Sequence, residues 1–202
     1  MTPQQLYDTI KQAYPQYEVG SICFTNKDCK RDGFCAEMQT GNVIDFDAVK
    51  ETKYKGQAPT PASVDAVCVA NIGEQIFTFV ELKGWQKYID NIYHQKCTPE
   101  EISVGYNLAG KLSGSQCLCM ELTSDNELFS DMRVQFLLVT DLDTKTRGID
   151  AFHTMLNLLG QSSTHIYSEC IRQANIILDT EIYIDKAYIS CKEFTSFINN
   201  HR

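Results

Sequence analysis

Basic residues are scarce in this sequence. Lys and Arg number 18 against 26 Asp and Glu, a formal net charge of −8. A nucleic-acid binder neutralises phosphates with Lys and Arg, so this balance argues against tight, nonspecific DNA binding and leaves room for a basic protein partner. No run approaches the roughly 20 apolar residues of a membrane span, so no membrane association is expected. Met1–Ile10 lacks a basic stretch followed by an apolar one, which argues against a secretory signal and for a cytoplasmic protein. Walker motifs, a Rossmann fingerprint and a Gly-rich phosphate loop are all missing, so nucleotide-driven chemistry has no support. There is no repeat, low-complexity tract or obvious interdomain linker. The length of 202 residues and the 43% hydrophobic content fit one α/β domain over 1–202.

Cysteine, by contrast, is plentiful: nine residues, an odd number. Without a secretion signal, reduced thiols are expected rather than a disulfide framework. Cys23, Cys29 and Cys35 recur every six residues, with Lys27, Lys30 and Arg31 between them. That spacing is wider than the Cys-x-x-Cys pairs of zinc sites, and Cys117-Leu118-Cys119 is tighter, so ordinary thiols and a solvated basic loop are the reading. His94, His153, His165 and His201 are scattered and form no nucleophile motif.

Helix and strand signals alternate along the chain. Thr2-Pro3 with Gln5 reads as a capped helix start, followed by a stripe of Leu6, Ile10, Ala13 and Tyr14 up to Pro15. Val43, Ile44 and Phe46 suggest a strand, and Lys53–Pro61 a loop. Val64–Ala70 and Ile76–Leu82 are β-rich runs that suggest a hairpin. Thr98-Pro99-Glu100-Glu101 opens a helix with a buried stripe of Ile102, Tyr106, Ala109 and Leu112. Val134–Val139 reads as a strand covered on both faces. Ile149, Phe152, Leu156 and Leu159 form a further helical stripe. Ile182–Ile189 reads as a strand, and Phe194, Phe197 and Ile198 as a closing helix. This order predicts a mixed central β-sheet flanked by helices.

The hairpin carries the chemistry. Residues two apart in a strand share a face, so Phe77, Phe79, Glu81 and Lys83 point one way. With Ile72-Gly73-Glu74 as a three-residue turn, Asn71 faces Gln75, Val69 faces Phe77, Val67 faces Phe79 and Asp65 faces Glu81. Facing residues place their Cβ atoms about 5 Å apart, and a slip of one residue would send Asp65 to the other side. Two carboxylates so close repel unless a positive charge lies between them. Mg²⁺ suits such hard oxygen ligands. It would polarise a phosphoryl oxygen and lower the pKa of a bound water, while Lys83 orients that water or stabilises developing charge. The competing triplets Glu51-Thr52-Lys53 and Asp143-Thr144-Lys145 lack either the preceding strand or a paired acid. The plainer interpretation makes Glu81 and Lys83 a surface pair of little energetic weight.

Asp65, fifteen residues, and then Glu81-Leu82-Lys83-Gly84 resembles the signature of the PD-(D/E)XK, or restriction-endonuclease-like, nuclease superfamily. The resemblance implies a core of helix, three strands, helix and strand, here within about 60–190. It also implies Mg²⁺- or Mn²⁺-dependent phosphodiester hydrolysis, usually of DNA. On it, Asp65, Glu81 and the backbone carbonyl of Leu82 hold the metal, and Lys83 positions the attacking water. A first-helix glutamate often joins them, and Glu18 and Glu37 compete for that role, with Glu37 preferred. The proline stands at Pro61 rather than directly before Asp65, and no Gln-x-x-x-Tyr follows at the distance usual in the RecB-like branch. Trp85 and Tyr88 are candidates for base stacking, although packing the next helix is the commoner role. The alternative is a catalytically inactive, nuclease-like binding or regulatory protein with a protein partner. RNA as substrate and a homodimer both stay open.

Overall fold

The computed structural model describes residues 1–26, 38–84, 105–141, 182 and 184–199. Helix α1, Pro3–Ala13, starts as the sequence predicts: the Thr2 hydroxyl accepts from the Gln5 amide at 3.2 Å, and the Gln5 side chain accepts from the Thr2 amide at 2.8 Å. Two orphan helix donors are thereby satisfied. Leu6 and Ile10 are buried and Tyr14 packs against the core as the stripe predicts, Tyr7 joins them, and Ala13 alone departs, being exposed. A two-residue strand β1 (Glu18–Val19) and strand β2 (Val43–Asp45) follow. Phe46 does not extend β2. The Asp45 carboxylate accepts from the Ala48 amide at 3.0 Å and so caps helix α2, Phe46–Lys53. An aspartate in that position favours a helix start over a longer strand.

The hairpin has the predicted register. Strands β3 (Ala66–Asn71) and β4 (Gln75–Lys83) pair Asn71 with Gln75, Val69 with Phe77 and Val67 with Phe79. Gly73 at φ +73° supplies the left-handed residue of the turn. Strand β3 begins two residues later than predicted, because the Val64 amide donates to the Ser115 hydroxyl at 2.9 Å. Strand β5 (Val134–Thr140) is buried along its whole length and runs parallel to β4; β6 (Asp185–Ser190) runs parallel to β5. The sheet order is β1-β2-β3-β4-β5-β6, antiparallel through β4 and parallel beyond it. The fold is therefore α/β with a six-stranded mixed sheet.

Strand alternation builds two cores. Phe77, Phe79, Phe136 and Leu138 pack with Leu6, Ile10, Phe46, Leu108 and Leu112 on one face. Val80, Leu82, Leu137 and Val139 pack with Ile22 and with Phe194 and Ile198, the latter two from a closing helix (Phe194–Asn199), on the other. Helices thus cover both faces, as expected of near-continuous apolar strands. Glu81 and Lys83 share the parity of Phe77 and Phe79, so they lie under the α1 side of the sheet.

Helix α3, Leu108–Thr123, departs from the predicted one. Asn107 adopts φ +48°, which interrupts the expected stripe between Tyr106 and Leu108; left-handed backbone cannot continue a right-handed helix. Ala109, expected in the buried stripe, is half-buried. Gly114 presses on the segment that leads into Asp65: a Cβ there would lie 2.1 Å from the Ala62 carbonyl oxygen. Gly114→Ala should therefore push α3 away from the sheet and destabilise the protein by about 1–3 kcal/mol, measurable as a lowered denaturant midpoint at unchanged slope.

Cysteine behaviour needs one correction. Cys23, Cys68, Cys117 and Cys119 are free thiols, but Cys191 is disulfide-bonded. Pairing depends on spatial approach, which counting cysteines does not carry. No helix among the described residues is long and apolar enough to cross a membrane. Residues 98–104 of the helix predicted from Thr98 to Leu112, and the whole helical stripe at 149–159, lie outside the described residues. Glu37, Cys29, Cys35, the Lys27–Arg31 loop, Trp85, Tyr88, the Asp143–Lys145 triplet and all four histidines also lie outside them.

Candidate active site

At the open end of the hairpin, Asp65 stands just before β3 and Glu81 lies near the end of β4. Continuing the ladder one step from Ala66–Val80 brings Asp65 opposite Glu81. Three hydrogen bonds fix Asp65. Its carbonyl oxygen accepts from the Phe46 amide at 3.0 Å. Its Oδ2 accepts from the Leu82 amide at 2.8 Å and from the Asn26 side chain at 3.4 Å. Leu82 thus turns its amide towards Asp65. In a strand, one residue's N–H and C=O point to the same neighbour, so the Leu82 carbonyl lies on the Asp65 flank as well.

Glu81 is fully buried. Its Oε1 is shared by two ammonium groups: Lys83 Nζ at 2.5 Å, and Lys111 Nζ from the first turn of α3. Its Oε2 is buried and has no hydrogen-bond partner among the described residues. The Lys83 ammonium also lies 4.9 Å from the centroid of the Tyr106 ring, within cation–π range. The cluster therefore has two acids and two lysines, none of them wholly in solvent; the Lys83 and Lys111 side chains are 16% and 22% exposed.

The electrostatics follow from this packing. Burial, with the Glu81 charge added to it, pushes the Asp65 carboxyl up to about 7, against the pull of Lys111, the Leu82 amide and Lys83. For Lys83, burial alone would lower the amine, but the Glu81 carboxylate overrides it and holds the amine above the ordinary lysine value. An acid held close to neutrality beside a strongly charged amine is the pattern that marks functional sites, although structural ion-pair networks share it.

The donor set suits a hard divalent cation. Mg²⁺ is commonly held by one or two carboxylates and completes its shell with water. The orphaned Glu81 Oε2, the half-buried Asp65 carboxylate and the Leu82 carbonyl supply oxygen donors of that kind. No group of three or more His, Cys, Asp or Glu side chains that could hold a metal occurs among the described residues. A third side-chain ligand would have to come from elsewhere, and Glu37 lies outside the described residues. Glu18 is committed to other partners: it accepts from the Tyr7 hydroxyl at 3.0 Å and pairs with Lys11 at 2.9 Å.

No family model matches the chain, no curated protein is similar to it, and no solved structure matches it.

The structure brings Asp65, Glu81, Leu82 and Lys83 together. Sequence reasoning missed Lys111 and Asn26, and took Tyr106 as core alone. Lys111 left a signal: Leu108, Leu112, Ser115, Leu118 and Cys119 are buried at helical spacing, and Lys111 falls within that face. A charge inside an apolar stripe needs a buried partner. Asn26 left none, since its contact spans 39 positions of a stretch without clear periodicity.

Proposed function

We propose that this chain is a Mg²⁺-dependent nuclease of the PD-(D/E)XK type that hydrolyses phosphodiesters, in the first place those of DNA. The observation that carries the reading is the convergence of Asp65 and Glu81 from facing strands with Lys83 alongside, leaving one Glu81 oxygen buried and unpartnered. Part of the element order supports it: α1, the antiparallel strands β2, β3 and β4, α3 and the parallel strand β5 come in the sequence that the resemblance implies, with helix α2 inserted between β2 and β3.

Asp65, Glu81 and the Leu82 carbonyl would hold the cation. Bound there, Mg²⁺ would supply a Lewis acid for the phosphoryl oxygen and counter-charge for the displacement. Asp65 must surrender its proton to serve, and its elevated pKa makes this an event near neutral pH. Lys83, fixed by Glu81 and the Tyr106 ring, would orient the attacking water and offset charge on the phosphoryl group. Free thiols at four of the five described cysteines suit a cytoplasmic location, with the bonded Cys191 as the exception.

The second reading, a non-catalytic binding or regulatory protein, draws on the same cluster. Two lysines already neutralise the two acids without a cation, and the chain carries a net charge of −8. Incubating the protein with single- and double-stranded DNA and RNA, in Mg²⁺ or Mn²⁺, separates the two. The nuclease reading expects metal-dependent cleavage of at least one substrate, slowed roughly 10²–10³-fold by Lys83→Ala. Substrates left equally intact by both proteins would favour the binding reading.

A further inference from the structure

Glu81 Oε1 receives two ammonium groups where one would neutralise it, while Oε2 receives none among the described residues. The two lysines differ in origin. Lys83 is two residues from Glu81 on the same strand, and its ammonium is also braced by the Tyr106 ring. Lys111 comes from another element, at the first turn of α3, and its side chain is the more exposed of the two. Its other acidic neighbours are Asp65, on whose carboxyl it also pulls, and Asp47, whose carboxylate is held below the usual range against the opposing effect of burial, first by hydrogen bonds from Lys50 and Ser63, with Lys111 contributing last. Asp47 is thus already satisfied and offers Lys111 no strong alternative.

We infer that Lys111 is the resident counter-ion of Glu81, which a divalent cation displaces, and that the freed ammonium then contacts the scissile phosphate. This rests on the nuclease reading of the site. Charge counting motivates it. With Asp65 ionised, two carboxylates and two ammonium groups sum to zero, and a divalent cation brings the site to +2. A phosphodiester carries −1, and attack by hydroxide raises the reacting group to −2, so a site holding both lysines matches the transition state rather than the ground state. The same arithmetic makes Lys111 and the cation competitors for Glu81, because each lowers the other's gain in neutralising one carboxylate.

Mn²⁺ binding measured by calorimetry at pH 8, without nucleic acid, provides the test. Lys111→Met should bind Mn²⁺ roughly tenfold more tightly than the wild-type chain, since a competing charge has been removed. Lys111→Arg should remain close to wild type. With saturating Mn²⁺, cleavage by Lys111→Met should fall at least tenfold, with Lys111→Arg recovering part of it. Unchanged or weaker Mn²⁺ binding by Lys111→Met would make the lysine a structural brace and overturn the inference. Lys111→Gln, which keeps a donor towards Glu81, gives the same readout should the Met variant not fold. If the wild-type chain binds no Mn²⁺ at all, the nuclease reading itself fails, an outcome distinct from a wild type that binds while Lys111→Met does not differ from it.

Discussion

Glu81→Gln should lower the thermal midpoint by about 5–15 °C and, on the proposed nuclease function, abolish cleavage. Glu81 is the one fully buried member of the cluster, and two ammonium groups depend on its Oε1. Taking the charge away while keeping the shape leaves Lys83 and Lys111 against each other in a poorly solvated site. Removing one partner of a buried ion pair costs about 3–5 kcal/mol. Both lysines retain some exposure and can shift their heads towards water, which trims the loss to about 2–4 kcal/mol. For a chain of this size each kcal/mol moves the midpoint by about 2–4 °C. On the nuclease proposal a catalytic loss would follow separately, since the amide cannot offer a cation a charged oxygen. Thermal unfolding followed by circular dichroism, with a cleavage assay below both midpoints, keeps the two effects apart.

Asp65→Asn should do the opposite to stability while, on the nuclease proposal, being just as damaging to activity. The Asp65 carboxyl sits at about 7 in the folded protein, above its ordinary value of 3.8. The folded state therefore holds a proton that the unfolded chain releases. That favours folding fully below about pH 4, and the benefit is lost as pH rises through about 7. Above pH 7 the ionised carboxylate destabilises the metal-free protein by up to about 4 kcal/mol, at roughly 1.4 kcal/mol per pKa unit. The substituted carboxamide would carry no charge and could still accept from the Leu82 amide. At pH 8 the variant should be more stable than the wild-type chain by about 2–4 kcal/mol, and at pH 4 the two should converge. Urea unfolding at the two pH values checks this. A variant less stable at pH 8 would mean that Asp65 is ionised and well compensated. Lys83 governs the far alkaline limb: its raised amine supports the fold below its ordinary value, and that support is lost as pH rises through the still higher folded value.

Opposite signs at neighbouring carboxylates separate a coupled, buried cluster from a surface pair. A surface pair near a strand end would shift stability by about 1 kcal/mol or less on losing either member. Here one acid anchors two cations and the other is held partly protonated by the first. That asymmetry leaves the metal-free site neutral only once Asp65 is ionised, with one Glu81 oxygen still unpartnered among the described residues.

The sequence made the hairpin legible because its signals were local. Alternation fixed the face of each residue, Gly73 fixed the turn, and together they set the register that brings Asp65 to Glu81. Strand β5 was equally plain, since an apolar run covered on both faces has few other interpretations. Strands β1 and β2 were harder: at two and three residues they are too short to show periodicity. Helix α2 depended on one capping contact at Asp45. Lys111 was the chief omission in the site. Its partner is thirty positions away, and which residue meets this partly buried lysine is decided by how α3 seats on the sheet. Gly114 and Ser115 determine that seating through contacts with residues 62–64, which a one-dimensional pattern does not contain.

Mn²⁺ binding followed by electron paramagnetic resonance at pH 6 and pH 8 tests the central claim most directly. The account predicts one ion per wild-type chain, bound about tenfold or more weakly at pH 6 because Asp65 must first lose its proton, and no site in Asp65→Asn or Glu81→Gln. Binding that is independent of pH and equal in all three proteins would place the ion elsewhere, and leave these four side chains as a buried salt-bridge network with no catalytic task.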